Sequence, residues 1–311
     1  MTTLSVVAPI YNEELIISEF VNQVEHNLKK LNVNYEIILV DDGSFDGSWN
    51  KIELEAKKSE NIRAIQLSKN FGHHYAITAG IHNSLGEWIV VMDTDLQDRP
   101  EVIQELFKKA KEGFDVVFVS RTDRPESFIY RTLQKLFYIL LRFLSGIDFD
   151  SSQANYSIIN RKVAEAFKQF PEQARFYGST IKWLGFNRTE IYAKHGQRFR
   201  GKPSYNLRKR IKLATDIIIA FSGRPLRFAV SLGLVMSGLS TLFGIALIIK
   251  YVTQGFQVLG WASLMVSIFF TSGVILTVLG VIGIYLGRVF HEVKARPLYL
   301  ISKSINVDKI Q

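Results

Sequence analysis

The sequence predicts an α/β protein, with a doubly wound, mostly parallel sheet and amphipathic interface helices, followed by a two-helix transmembrane hairpin. Three observations carry that expectation. Strand-length apolar runs alternate with helix-period segments through the first 120 residues, joined by short links. Polar residues, mostly acidic, gather immediately after those runs, where a parallel sheet presents ligand-binding groups. Near the other end, Phe228 to Gly287 holds a single formal charge, Lys250.

Taken in order, Leu4–Ile10 reads as a strand closed by Pro9, and Asn12 as the N-cap of a helix running to about Leu31. Tyr35–Val40 is a second strand, ending in Asp41 and Asp42, with a helix from about Gly47 to Lys58. Ile62–Leu67 is a third, leading through Lys69-Asn70-Phe71-Gly72-His73-His74 into a helix that reaches about Ser84. The two histidines read as polar loop residues. Trp88–Met92 is an apolar strand that ends abruptly in Asp93-Thr94-Asp95-Leu96-Gln97-Asp98. Runs without alternation read as strands buried on both faces. Asp98-Arg99-Pro100-Glu101 resembles an Asp-led capping box for a helix from Pro100 to Lys111, and Asp115–Ser120 is the fifth strand.

Phe128–Ser145 is amphipathic, with Arg131, Lys135, Tyr138 and Arg142 on one side and bulky apolar residues opposite. That pattern fits a surface helix on the core or a membrane-interface helix. Leu207 to Phe221 is a second basic amphipathic stretch. Phe228–Ile249 is 22 residues without charge, enough to cross a hydrocarbon core as a helix. A second span follows at about 262–287, after a turn at Gln254–Gly260. The expected organisation is a domain over 1–205, a basic linker over 206–227, spans at about 228–250 and 262–287 within 228–290, and a tail over 291–311. A buried core hairpin is the alternative to a membrane pair.

The net charge of +9 is local: Arg188 to Arg227 holds eleven Lys/Arg against two Asp/Glu, and the other residues balance at 27 of each sign. A basic belt beside an apolar segment fits an anionic membrane face. Nucleic acid is not expected, since no basic recognition helix or zinc pattern accompanies the charge. With no cysteine, disulfides, thiolate metal sites and cysteine nucleophiles are excluded. The amino terminus enters a strand without a signal-like stretch, so the soluble domain is expected in the cytoplasm, with both termini there and the short connecting turn outside.

The chemistry is expected at the carboxyl edge of the sheet. Asp93 and Asp95 lie two apart, so in extended chain they face one way, about 7 Å apart at Cα. Two such carboxylates suit a hard divalent cation that also takes diphosphate oxygens. Neither a dinucleotide glycine fingerprint nor a phosphate-binding P-loop follows the first strand, so acids there imply phosphate handled through metal.

Pro9-Ile10-Tyr11-Asn12-Glu13, Val40-Asp41-Asp42-Gly43-Ser44 and Asp93-Thr94-Asp95-Leu96-Gln97-Asp98 together resemble inverting GT-A glycosyltransferases. With Lys69-Asn70-Phe71-Gly72, Trp183-Leu184-Gly185-Phe186, the Arg198–Tyr205 segment and Gly283–Arg288, the chain resembles, nearly end to end, the polyprenyl-phosphate glycosyltransferases of glycosyltransferase family 2, which include dolichyl-phosphate mannose synthases and bactoprenol glucosyltransferases. It departs from that pattern at Ala154-Asn155-Tyr156-Ser157 and at Pro203.

The resemblance implies a donor site from Pro9, Tyr11, Asn12, Glu13, Asp41, Asp42, Lys69 and Asp93. It implies that Asp93, Asp95 and Gln97 hold Mg2+ or Mn2+. Arg121, Arg131 and Arg198 would grip phosphate on the acceptor side, and Asp93, Asp95, Arg121 and Arg198 would carry catalysis. The implied reaction is inverting transfer of a sugar from a UDP- or GDP-sugar to undecaprenyl (bactoprenyl) phosphate at the cytoplasmic face of the bilayer, for cell-surface glycan modification. A homo-oligomer is compatible with it. Two rivals remain: a processive polysaccharide synthase, for which the Gln-x-x-Arg-Trp motif is missing, and a non-catalytic membrane component that binds nucleotide-sugar.

Overall fold

The computed structural model describes residues 2–121, 153–170, 172, 173, 175–193, 196, 222–254 and 260–307. The strands are β1 (Leu4–Ile10), β2 (Tyr35–Asp41), β3 (Ile62–Leu67), β4 (Trp88–Val91), β5 (Val116–Arg121), β6 (Gln153–Asn160), β7 (Arg188–Ala193) and β8 (Ile301–Ile305). They form one sheet in the order β7-β5-β6-β4-β1-β2-β3-β8. The helices on it are α1 (Ile17–Lys30), α2 (Ser48–Lys58), α3 (His73–His82), α4 (Val102–Ala110), α5 (Arg161–Lys168) and α6 (Tyr177–Trp183).

The central strands pair in parallel, β1 with β2 and β4, and β2 with β3. Every residue of β1 is buried, because its side chains alternate between two cores. Leu4, Val6, Ala8 and Ile10 pack with Phe20, Val24 and Leu28 of α1, Ile52 of α2 and Leu106 of α4. Val7 packs with Ile38, Val40, Ala76 and Ile77 of α3, Phe167 of α5 and Tyr177 of α6. Each large side chain so buried contributes about 1.5–3 kcal/mol.

The mostly parallel sheet is as expected from the sequence, and the structure adds what the alternation did not show. β6 runs antiparallel between β4 and β5, and β7 pairs in parallel with β5. The chain reads as a tail from residue 291 onward, yet β8 joins the sheet antiparallel to β3. The amide of Asn306 donates to the carbonyls of Ala56 and Ile62, both at 2.8 Å, and so fastens the end of that strand.

Three local expectations need correction. Asn12 does not cap a helix: its backbone is left-handed, φ 55°, and α1 starts only after Ile16. Its side-chain oxygen accepts from Phe45 N at 3.1 Å instead, a loop-to-loop bond that outcompetes the cap. Asp98 does not cap α4, whose N-cap is Glu101; it is buried with Oδ2 3.4 Å from Asp93 N. His73 and His74 are not loop residues but the first turn of α3.

The chain divides into two units, the sheet unit, which includes the chain from Arg296 onward, and a second unit containing the two long helices. These are α7 (Arg224–Gln254) and α8 (Trp261–Val293), of 31 and 33 residues. Both are long and apolar enough to cross a membrane, and the most apolar windows are 6% and 0% buried. Exposure on that scale does not fit a buried core hairpin. Tyr285 donates to the Ser222 carbonyl at 2.6 Å, which sets the late part of α8 beside the start of α7. The interface helix expected at 128–145 and most of the basic linker lie outside the described residues.

Candidate active site

Parallel register brings the ends of β1 to β4 to one edge. Ile10 lies opposite Asp41, Asp41 opposite Gln66, and Val7 opposite Val91. The loops that follow are tied to one another. Asn12 N donates to Ser44 Oγ at 2.9 Å, answering the bond from Phe45 N to Asn12 Oδ1, and Glu13 N donates to Ser48 Oγ at 2.9 Å. The Thr94 hydroxyl donates to the Glu13 carboxylate and lies 3.4 Å from the Pro9 carbonyl, so the loops after β1 and β4 are one construction.

Asp41 is fully buried, one oxygen accepting from Ser44 N at 3.0 Å and the other from Gln66 Nε2 at 2.9 Å. Asp42 takes the next loop: its carboxylate accepts from Phe71 N at 2.8 Å and from Gly72 N at 2.9 Å. Burial pushes the Asp42 carboxyl up to about 6, against the lowering effect of those two N–H groups. Between the two strands, Gly43 has φ 68°, and a Cβ on it would sit 2.4 Å from the Lys69 carbonyl carbon. Only glycine lets these backbones approach so closely. Lys69 itself is exposed, its ammonium 5.1 Å from the centre of the Phe71 ring. Tyr11 is partly exposed and meets Phe45 edge to face, with centroids 5.9 Å apart.

The acidic loop keeps the alternation of the strand before it. Asp93, Asp95 and Gln97 are half-buried, while Met92, Thr94, Leu96 and Asp98 are buried. Asp95 Oδ1 accepts from Gln97 N at 3.1 Å, closing a tight turn through Leu96 at φ 59°. Gly196 donates its N–H to the Gln97 carbonyl at 2.9 Å, and a Cβ there would lie 2.9 Å from the Leu96 oxygen. A glycine two positions before Arg198 is therefore pressed against the acidic loop.

Two residues at this edge were not among the site residues expected from sequence. His73 Nε2 is 3.2 Å from Asp93 Oδ1, and the side-chain nitrogen of Asn155 of β6 is 3.1 Å from His73 Nε2. Desolvation lowers the His73 pKa, but the Asp93 carboxylate, with Glu13 and Asp42 behind it, outweighs that and raises it. His74 faces inward, and burial first, then His73, pushes it down to about 3. A doubled histidine gives no hint of this split; only helical geometry sends its two rings to different sides.

Arg121 ends β5, opposite Ala193 of β7, with its backbone on the same edge as Asp93. Arg131 and Arg198 lie outside the described residues. Among the described residues no cluster of three or more His, Cys, Asp or Glu forms a metal cage of its own. A pair of carboxylates is nonetheless a sufficient protein contribution for a cation that takes its other ligands from diphosphate and water.

A model of the family described as glycosyl transferase family 2 matches residues 5–168. The uncharacterized glycosyltransferase YkcC of Bacillus subtilis (strain 168) is 38% identical over 306 residues, covering 98% of this chain and 94% of the relative. The undecaprenyl-phosphate 4-deoxy-4-formamido-L-arabinose transferase of Pseudomonas fluorescens (strain Pf0-1) is 33% identical over 307 residues, covering 96% and 89%. Among solved structures, glucosyl-3-phosphoglycerate synthase from Mycobacterium tuberculosis, in complex with Mn2+, UDP and phosphoglyceric acid, shares the fold. It has a TM-score of 0.52 at 19% identity, covering 70% of this chain and 76% of that one. The family match spans β1 to α5, the same stretch that builds the acidic edge of the sheet. This chain belongs to glycosyl transferase family 2 and is a glycosyltransferase of the GT-A fold.

Proposed function

We propose that the protein transfers a sugar from a nucleoside-diphosphate sugar to polyprenyl phosphate at a membrane surface. The observation that carries this is the joining, in one chain, of the Asp93–Asp95 edge to two long apolar helices, over the same length as a relative named for undecaprenyl phosphate. The loops after β1 and β2, with Tyr11, Asn12, Glu13, Asp41, Asp42 and Lys69, shape the donor cradle. Pro9 contributes through its carbonyl, which receives Thr94.

Asp93, Asp95 and Gln97 stand where Mg2+ or Mn2+ would meet the donor diphosphate, and the structurally similar synthase was solved with Mn2+ and UDP. A cation held there offsets the negative charge that builds on the departing diphosphate. The chain's own residues do the rest. Arg121, with Arg131 and Arg198, grips acceptor phosphate, whose second pKa of about 6 leaves it anionic near neutrality. It therefore needs placing more than it needs a base. An acceptor phosphate oxygen attacks the anomeric carbon, the bond to the diphosphate oxygen breaks with its electron pair, and the configuration inverts.

α7 and α8 would span the bilayer as a hairpin. Chain order supports this: the sheet unit comes before α7 and returns after α8 as β8, so the pair of crossings has to start and finish on one side. Single cysteines at Gln257 and Ser304 test it, because the native chain has none. Labelling from opposite sides of sealed vesicles is expected, and labelling of both from one side would refute the hairpin. The reaction is tested by incubating membranes that contain the protein with polyprenyl phosphate and a panel of labelled UDP- and GDP-sugars. One donor should give a labelled polyprenyl-phosphate sugar. Transfer only to long polymer, or none with any donor, overturns the reading.

A further inference from the structure

We propose that His73 is a positioning residue whose Nε2–H fixes the orientation of the Asp93 carboxylate towards the cation-bound diphosphate of the donor. The inference rests on the donor site described above. A carboxylate on a short side chain turns through a broad torsional range unless one oxygen is tied. Here Asp93 Oδ1 lies 3.2 Å from His73 Nε2, across from the start of α3.

The structure holds that ring in place from three directions. Gly72, at φ 114°, turns the chain into α3, and the Asp42 carboxylate secures its entry through the N–H groups of Phe71 and Gly72. The next residue anchors the first turn inward: the His74 ring lies 5.5 Å from that of Phe176, and its Nδ1 accepts from Tyr177 N at 3.4 Å. From β6, the Asn155 amide reaches the same Nε2 at 3.1 Å. With the hydrogen on Nε2, the Asn155 oxygen is the end that faces it, since the two ends of an amide are interchangeable in assignment. Asn155, a departure from the family pattern, thereby becomes a buttress for the ring.

The His73 side chain is 41% exposed and Asp93 is 30% exposed, while the Oδ1 atom that meets the ring is itself buried. One carboxylate oxygen is thus held on the protein side, and the rest of the side chain reaches the site. Groups that orient metal ligands from behind typically change metal affinity by about 10–100-fold when lost.

The test uses the full-length protein in detergent, with Mn2+ as the probe and UDP and GDP run in parallel. Free Mn2+ is read by its electron paramagnetic resonance signal. His73→Phe keeps a ring without the N–H, and His73→Gln returns an amide N–H to nearly the place of Nε2. His73→Phe should weaken nucleotide-dependent Mn2+ binding by about 10–100-fold, leaving nucleotide binding without metal and the melting temperature unchanged. His73→Gln should recover most of the loss. In turnover assays the Mn2+ activation constant should rise, with kcat at saturating Mn2+ near that of the wild type. Wild-type Mn2+ binding by His73→Phe, a His73→Gln variant as impaired as His73→Phe, or a fall in kcat alone would overturn the proposal. If the wild type itself binds no Mn2+ with either nucleotide, the donor-site reading falls first and takes this inference with it.

Discussion

The two edges of one sheet use the same kinds of residue to opposite ends. At the amino edge of β1 to β3, Glu36 accepts from Ser5 Oγ at 2.5 Å, from Leu85 N at 2.6 Å and from Arg63 at 2.7 Å. Arg63 also donates to the carbonyls of Asn83 at 2.7 Å and Asn306 at 3.0 Å. Every member of that network answers another, and Glu36 and Arg63 are both buried. At the carboxyl edge, Asp93 and Asp95 are only half-buried, and their contacts stay on that edge: Asp95 Oδ1 accepts from Gln97 N, and Asp93 Oδ1 lies beside the His73 ring. Charged residues on a sheet edge therefore say little by type alone. A closed, buried set of partners makes a structural staple, and a half-buried set on a braced loop is the candidate site.

The largest expected effect breaks the closed edge. Arg63→Ala strands the Glu36 charge in the core, and loss of one partner of a buried pair costs about 3–5 kcal/mol of stability. Chemical unfolding of the detergent-solubilised protein should show that loss, while the molecules that remain folded keep the wild-type KM for donor. Wild-type stability in Arg63→Ala would mean that the network is not closed as described.

The next effect falls on the open edge and runs the other way. Asp95→Asn should leave melting unchanged and reduce transfer by at least ~100-fold, about 2.7 kcal/mol of barrier, because an amide is a poor cation ligand. Near-normal turnover of a folded Asp95→Asn protein, or full activity in excess chelator, would remove the metal role from this edge.

How far each edge was legible follows from the same contrast. β1, β2 and β4 could be read from sequence because burial on both faces makes them nearly continuous apolar runs, and β3 is apolar apart from Arg63 and Gln66. The acids that follow them could be read because two-residue spacing survives into the loop after β4. β8 could not: Ile301-Ser302-Lys303-Ser304-Ile305 is polar and mostly exposed, and its partner β3 lies far away in sequence. The closed network was hidden for that reason, since Asn306 completes it from across the chain. Asn12 misled because cap and loop clamp need the same side chain, and only the tertiary contact with Phe45 decides between them.

A smaller effect is expected from the acceptor side of the open edge. Arg198 follows Gly196, whose N–H is bonded to the Gln97 carbonyl, so the chain is already beside the acidic loop two residues earlier. A charge-assisted contact to phosphate typically contributes ~1.5–3 kcal/mol. Arg198→Ala should raise the KM for polyprenyl phosphate, or lower turnover, by roughly ten- to a hundredfold, with donor binding little changed and His195→Ala mild. A fatal His195→Ala beside a silent Arg198→Ala would point instead to a hydroxyl acceptor that needs a base.

The smallest effect separates the edges by pH. Asp42 belongs to the open edge by position, yet it is 2% exposed, and burial lifts its carboxyl to about 6. In the unfolded chain an aspartate titrates near ~3.9, so between the two values the folded protein holds a proton that the unfolded chain has released. The stability due to that proton is complete below about pH 4 and is lost as pH rises through about 6, on the order of 2 kcal/mol of it between pH 4.5 and 7.5. Asp42→Asn keeps an oxygen to accept from Phe71 or Gly72 and has nothing to titrate. Its melting temperature relative to wild type should therefore be more favourable at pH 7.5 than at pH 4.5, in buffers without divalent cations. The Glu36–Arg63 edge gives a control, since Glu36→Gln should be destabilised at pH 7.5, where the buried Arg63 has lost its counter-charge. If Asp42→Asn tracks wild type at both pH values, the carboxylate is solvated through the loop, and the open edge extends further into the sheet than its burial indicates.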